Sequence, residues 1–175
     1  MLRPVLVFVT GGKQDIRYID SRLVQRLQNF VANARAQGMT FTFDTLFRTQ
    51  SQQAAIQTPN TKNVTGTSPH TAGLAFDVDV KTSLKPSGLA SLPALTAAAR
   101  QPNCNFSPLS NQAADPPHFQ ANDLITRDDT GHVDQRYMAL IAENQQSFLD
   151  LEQMRTDDPG QFNALVTAID SFTTT

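Results

Sequence analysis

Residues 68–80 have the sequence Ser68-Pro69-His70-Thr71-Ala72-Gly73-Leu74-Ala75-Phe76-Asp77-Val78-Asp79-Val80, and the rest of the chain is organised around them. From position 74 onward, apolar residues alternate with small or acidic ones, and this period of two predicts a β-strand over 74–80. The face that packs on the core carries Leu74, Phe76, Val78 and Val80. The opposite face carries Ala75, Asp77 and Asp79. The stretch therefore joins a histidine, in the loop before the strand, to a carboxylate on the strand's polar face.

A second polar segment, Asp115-Pro116-Pro117-His118-Phe119-Gln120, follows further along the chain. A catalytic zinc site usually takes three protein ligands of the N or O type and leaves one position open for water. His70, Asp77 and His118 fit such a ligand set. Asp115, held on the rigid Pro116-Pro117 turn, would lie near the metal and take the proton from the attacking water. Histidines and aspartates near prolines also occur without a metal, so a purely structural interpretation stays open on this pattern alone.

The two segments together resemble a known motif. Ser68-x-His70-x-x-Gly73-x-Ala75-x-Asp77 followed by Asp115-x-x-His118 is similar to the zinc peptidases that include the VanX and VanY D-Ala-D-Ala peptidases and phage L-alanyl-D-glutamate endopeptidases. These peptidases share their fold with the hedgehog signalling domain. The resemblance extends to the elements before the motif, ending in Phe47-Arg48-Thr49, and covers roughly residues 15 to 121.

The resemblance implies a role for each matching position. His70, Asp77 and His118 resemble the Zn²⁺ ligands, and Asp115 resembles the catalytic acid/base. Arg48 resembles the arginine that steadies the substrate's carbonyl or carboxylate group, and Ser68 resembles a residue that lines the site.

One departure from the family pattern bears on the substrate. The family's carboxypeptidases generally place Glu at the position of Asp115 and a Trp before the histidine, whereas this chain has Asp-Pro-Pro-His. That difference favours an L-alanyl-D-glutamate endopeptidase acting on peptidoglycan stem peptides, as a phage lysin or a delivered toxin. The alternatives are a D-Ala-D-Ala carboxypeptidase or dipeptidase, and a non-catalytic zinc-containing module that binds the cell wall.

The remaining elements predict an α+β domain with a small antiparallel sheet flanked by helices. Strands are predicted over 2–10 and 39–43, and an amphipathic helix is predicted from about 20 to 37. Thr49 and Gln52 have the spacing of a capping box, which predicts a short helix directly after Arg48. A further helix is predicted over 91–100. The last fifty residues carry helical apolar stripes that run to Phe172, so we expect a peptidase core over 1–125 and a helical extension over 126–175 packed on the same domain.

Composition and charge narrow the choice of partner. The chain has 175 residues and a formal net charge of -2, with no run of Lys or Arg, so we expect no nucleic-acid partner. No apolar stretch approaches the ~20 residues of a membrane span. The apolar run over 5–9 is too short for a signal peptide. We therefore expect synthesis in the cytoplasm and action on the cell wall or periplasm after release or delivery.

Three further side chains are predicted to lie outside the metal site. Cys104 is the single cysteine, which excludes an intramolecular disulfide and predicts a small buried thiol. Asp79 shares a strand face with Asp77 but lies two residues further along, which favours a surface or supporting position. His132 belongs to a polar stretch and is predicted to be a solvated loop residue.

Overall fold

The computed structural model describes residues 1–56, 66–79, 92–108 and 117–169. Within these ranges a seven-stranded sheet has the order β2-β1-β3-β4-β6-β5, and β7 pairs with β1. The strands are β1 Leu2–Val9, β2 Lys13–Asp20, β3 Thr42–Phe43, β4 Ala75–Asp79, β5 Ser107–Pro108, β6 His118–Gln120 and β7 Thr167–Ala168. The helices are α1 Val24–Ala36, α2 Gln50–Ala55, α3 Leu92–Ala99, α4 Gln135–Asp157 and α5 Pro159–Leu165, and 3-10 turns span Ser21–Leu23 and Asn122–Leu124. The predicted α+β class is confirmed.

The sheet is mixed rather than purely antiparallel. Strand β1 pairs in parallel with β3 and with β7, whereas the other pairings are antiparallel. Both parallel pairings are short, at one and two residues, and they lie at different points along β1. Strand β1 therefore pairs with β2 along one edge and, at different positions along its other edge, with β3 and β7.

A β-hairpin opens the chain, and sequence analysis recognised only its first strand. Gly11 and Gly12, at φ values of 88° and 74°, form the turn, and residues 13–20 return along β1 in full register. Positive φ is accessible to glycine at little cost, so this pair reverses the chain rather than merely ending a strand. The helix predicted from about 20 begins as a 3-10 turn over Ser21–Leu23, with Asp20 as its N-cap, and continues as α1 from Val24.

The core lies between α1 and the sheet and is built on phenylalanine rings. The ring of Phe30, on α1, has its centroid 5.1 Å from Phe41, 5.3 Å from Phe76 and 5.6 Å from Phe119. All four side chains are at most 1% exposed. Aromatic contacts at these separations stabilise a core beyond the area they bury. The core thereby fixes β4 and β6, whose other faces carry Asp77 and His118.

The end of the described chain returns to the sheet, which corrects the predicted helical stripe. Helix α5 ends at Leu165, and residues 167–168 then pair with Val5 and Leu6. Ile169 donates its amide hydrogen to the Leu6 carbonyl at 2.9 Å, and its side chain is 2% exposed. The apolar residues that continued the helical period are used here by a strand. Phe172, the last residue of that predicted stripe, lies outside the described residues.

The other predicted elements are recovered with shifted ends. The strand predicted over 74–80 forms over Ala75–Asp79, and Val80 lies outside the described residues. The helix predicted over 91–100 forms over Leu92–Ala99. Only Thr42–Phe43 of the strand predicted over 39–43 pairs, although its alternate residues are buried as predicted. Among the helices in the described ranges, none has the length and apolar character needed to cross a bilayer.

Candidate metal centre

Strands β4 and β6 bring the aspartate and the second histidine opposite each other. Their antiparallel register pairs Asp77 directly with His118. The apolar neighbours Phe76 and Phe119 form the adjacent pair and stack in the core, with ring centroids 5.5 Å apart. Because successive side chains point to opposite faces of a strand, burial of these phenylalanines places Asp77 and His118 on the other face together.

The segment 44–48 holds the turn that carries His70. The Asp77 amide donates to the Thr45 carbonyl at 2.7 Å, and the Arg48 amide donates to the His70 carbonyl at 3.2 Å. The Leu46 carbonyl accepts a hydrogen bond from Nδ1 of His70. The histidine is thus attached to the same segment by its backbone and by its ring.

Potential ligand atoms of three side chains converge where β4, β6 and the His70 turn meet. Nε2 of His70 lies 3.1 Å from Nδ1 of His118 and 3.2 Å from Oδ2 of Asp77, and Oδ1 of Asp77 lies 2.9 Å from Nδ1 of His118. A tetrahedral zinc ion with ligand distances of about 2.0–2.1 Å separates its ligand atoms by about 3.3 Å. The three observed separations are close to that value. Among the described residues, His70, Asp77 and His118 form a buried group that can hold a metal ion.

The hydrogen-bond partners of the two imidazoles decide which nitrogen of each ring carries the proton. A carbonyl oxygen only accepts, so Nδ1 of His70 carries the proton that it donates to Leu46, and its Nε2 has a lone pair. Oε1 of Gln120 lies 3.0 Å from Nε2 of His118 and accepts its proton, while the amide nitrogen of Gln120 donates to Asn122. Nδ1 of His118 therefore also has a lone pair. Two lone pairs and a carboxylate meet without a proton to share, and a cation satisfies all three.

The electrostatics of the site keep His70 and Asp77 in their metal-binding forms. Burial lowers the pKa of His70, although Asp77 acts in the opposite direction, so the ring is neutral at pH 7. Burial acts to raise the pKa of Asp77, but the nearby imidazoles of His70 and His118 outweigh it. The pKa of Asp77 consequently lies well below its usual range, and the carboxylate is ionised. Neutral imidazoles and an ionised carboxylate are what a divalent cation requires.

Arg48 lies beside the metal centre, directly before the short helix that the capping box predicted. Thr49 and Gln52 form the capping box of α2 directly after it. Its Nη2 lies 3.0 Å from Oδ2 of Asp77, and its Nη1 lies 3.3 Å from Oε1 of Gln53. The guanidinium is therefore paired with the carboxylate of the metal-binding group.

Arg48 also lines a cavity of about 500 Å³. The cavity is bounded by β2, the segment 44–48, α2 and Phe148 of α4. Its apolar lining residues are Ile16, Tyr18, Leu46, Phe47, Ala55, Ile56 and Phe148. Its polar lining residues are Arg17, Asp44, Thr45, Arg48 and Gln52. The three residues of the metal-binding group are not among these. Arg48, which pairs with Asp77, and Leu46, whose carbonyl accepts from His70, connect the cavity to the metal centre.

Two predicted site residues, Ser68 and Asp115, remain, together with Asp79 and His132, which were predicted to lie outside the site. Ser68 is 1% exposed, and its hydroxyl has no hydrogen-bond partner among the described residues. Asp115 lies outside the described residues. Asp79 and His132 do not belong to the metal-binding group, and His132 is an exposed loop residue whose Nδ1 lies 2.7 Å from the Thr130 hydroxyl.

Sequence reasoning did not identify the residues that orient the ligands. Gln120 had a usable signal, since it lies two positions after His118 and must share its strand face. The Leu46 carbonyl had no such signal, because a sequence does not show which group a backbone carbonyl will contact. Gln145 of α4, which hydrogen-bonds to the backbone of both Arg48 and Thr71, lies beyond the region of resemblance.

Comparison of the chain with protein families, with curated proteins and with solved structures gives no match. The function is therefore argued from the site itself.

Proposed function

We propose that this chain is a zinc-dependent peptidoglycan hydrolase that cleaves stem peptides, with the L-alanyl-D-glutamate bond as its target. The observation that carries the proposal is the meeting of His70, Asp77 and His118, whose facing atoms lie 2.9 to 3.2 Å apart. The identity of the ion as zinc rests on the N/N/O donor set, which is typical of catalytic zinc sites. The identity of the substrate rests on the motif resemblance.

The residues of the proposed site have separate roles. His70, Asp77 and His118 would hold the ion, and the Leu46 carbonyl and Gln120 keep each imidazole in the tautomer that binds it. When bound, zinc supplies Lewis acidity and lowers the pKa of a coordinated water to about 7.

Substrate handling falls to two other residues. Asp115 is proposed, on the sequence motif, to take a proton from the attacking water and pass it to the leaving amine. Arg48 is proposed to steady the substrate carbonyl, because it pairs with Asp77 and also lines the cavity. A cavity of about 500 Å³ lies in the size range of ligand sites, which supports a peptide residue being held there.

Digestion of purified peptidoglycan, followed by mass spectrometry of the muropeptides, tests the proposal. We expect new peptides that begin with D-Glu, together with about one zinc per chain by elemental analysis. Release of D-Ala alone would instead identify a carboxypeptidase. Absence of cleavage from any cell wall, with zinc bound, would favour a wall-binding module.

Two variants separate the roles within the site. Asp115→Ala should retain zinc and lose cleavage, whereas His70→Ala should lose both. His132→Ala is the matched control, because this histidine is exposed and outside the metal-binding group, and it should retain both. Full activity of Asp115→Ala would show that the acid/base assignment is wrong.

A further inference from the structure

Helix α4 lies beyond the region that resembles the zinc peptidases, yet one of its residues contacts both loops of the metal centre. Nε2 of Gln145 donates to the Arg48 carbonyl at 3.2 Å and to the Thr71 carbonyl at 3.0 Å. Its Oε1 accepts the amide hydrogen of Gln50 at 3.0 Å. Both amide protons and the carbonyl oxygen of one side chain are thus used on three backbone groups.

Each of these backbone groups belongs to a segment that positions a functional side chain. Thr71 directly follows His70, and the Arg48 amide itself donates to the His70 carbonyl. Gln50 is the first residue of α2, where a helix leaves amide hydrogens without a partner inside the helix. Gln145 therefore closes a ring of hydrogen bonds that joins the Arg48 corner to the His70 turn.

The neighbouring residue on α4 completes the attachment of the His70 turn. Nδ2 of Asn144 donates to the Ala72 carbonyl at 2.7 Å and to Oδ2 of Asp20 at 2.9 Å, and this side chain is fully buried. The Gly73 carbonyl accepts the amide hydrogen of Asp20 at 3.0 Å. Every carbonyl from residue 70 to residue 73 has a donor, and α4 supplies the donors at 71 and 72.

We propose that Gln145 is a positioning residue of the metal centre, with Asn144 as its support. It acts through the backbone: it fixes the turn that carries His70 against the segment that contains Leu46 and Arg48. Nδ1 of His70 is bonded to that same segment, so a relative shift of the two loops would rotate the imidazole away from Asp77 and His118. The inference deepens the proposed function, because it depends on a metal being held at this centre.

The experiment compares zinc dissociation constants in competition with a chromophoric chelator, with thermal unfolding of the zinc-free proteins measured in parallel. Loss of a partner that orients a metal ligand typically weakens binding 10- to 100-fold. Gln145 contacts the backbone of the loops and no ligand side chain. We therefore expect Gln145→Ala to weaken zinc binding about 10-fold, at the low end of that range. Gln145→Glu keeps the length and the acceptor but removes both donors, so it should weaken zinc binding at least as much.

Two control variants on the same helix separate positioning from general stability. Gln146→Ala removes an exposed side chain that pairs with Asp150 and should leave zinc binding unchanged. Leu151→Ala removes a side chain that is buried in a cluster with Leu2, Tyr18, Phe47 and Phe162, and it should lower the unfolding temperature while changing zinc affinity less than twofold. Replacement of zinc by Co²⁺ adds a second reading, because its visible spectrum reports coordination geometry and should change only in the Gln145 variants.

The outcomes are distinct. Zinc affinity of both Gln145 variants within twofold of the wild type would overturn the inference and leave the proposed function standing. An equal loss in Leu151→Ala would also overturn it, since the effect would then be one of stability. Absence of zinc binding by the wild type would overturn both this inference and the proposed function.

Discussion

Zinc should stabilise the folded chain, and removal of a single ligand should abolish most of that effect. His118 is the ligand to remove, because its side chain faces both other ligands and is 6% exposed. An ion that binds only the folded state adds about 2.7 kcal/mol to the free energy of unfolding at a free concentration of 100 times its Kd. For a domain of this size, each kcal/mol raises Tm by about 2–4 °C, so the wild type should gain about 5–11 °C.

The His118→Ala variant should lose most of this gain at the same zinc concentration. Loss of a residue that hydrogen-bonds to a metal ligand can already weaken metal binding about 100-fold. A loss of that size on removal of the ligand itself would leave the free zinc concentration near the Kd of the variant. The stabilisation then falls to about 0.4 kcal/mol, or about 1–2 °C in Tm. The assay is thermal unfolding with zinc and with a chelator, and His132→Ala should shift as the wild type does. Equal shifts in His118→Ala and the wild type would refute a site built on His118.

Three further predictions concern stability and reactivity. Gly73→Ala should destabilise the chelator-treated protein by about 1–3 kcal/mol more than Gly12→Ala in a denaturant titration. Both glycines have positive φ, but a Cβ at Gly73 would lie 2.8 Å from Cδ2 of Leu2, whereas one at Gly12 meets nothing within 4 Å; equal losses would contradict this packing argument. Cys104 should resist alkylation in the folded protein at pH 8, as followed by intact mass, because burial raises the pKa of its thiol to about 11; rapid labelling at pH 8 would contradict it. Burial acts to raise the pKa of Asp20, but hydrogen bonds from Arg22 and Asn144 outweigh it and keep this pKa below its usual value. The stability that this carboxylate contributes is therefore present above the pKa of an unfolded Asp, near 3.9, and is lost as the pH falls through its folded pKa. Asp20→Asn should therefore reduce the fall in unfolding free energy at acid pH. An unchanged dependence on pH would argue against a stabilising role of the Asp20 carboxylate.

The sequence was most informative where local pattern and packing agree. Alternation over 74–80 predicted which side chains of β4 enter the core, and burial of Phe76 and Val78 follows it. The capping box at Thr49 and Gln52 located the start of α2, because that interaction is complete within four residues. Of the predicted ligands, Asp77 and His118 meet because strand register pairs them, and the segment 44–48 holds His70 beside them.

The sequence was least informative where a partner lies far along the chain. Strand β2 was missed because its residues 13–17 are largely polar or half-exposed, and its identity depends on pairing with β1. Strand β7 was assigned to a helix because two residues cannot show a period, and β1 supplies its only pairing among the described strands. The hydrogen bonds of Gln145 link it to residues 74 and more positions away, and no local pattern encodes such a contact.

The pairing of β7 with β1 has a consequence for how the chain folds. Thr167 lies beside Val5, so the part of the first strand's edge around Val5 and Leu6 stays uncovered until more than 160 further residues have been made. Contacts of such long sequence separation slow folding, because the entropy of closing the loop is lost before the contact is gained. During synthesis the β1–β2 hairpin can form early and then present an open strand edge, which is a site for intermolecular pairing. We therefore expect the refolding yield to fall as the protein concentration rises, even where the folded state is stable at equilibrium.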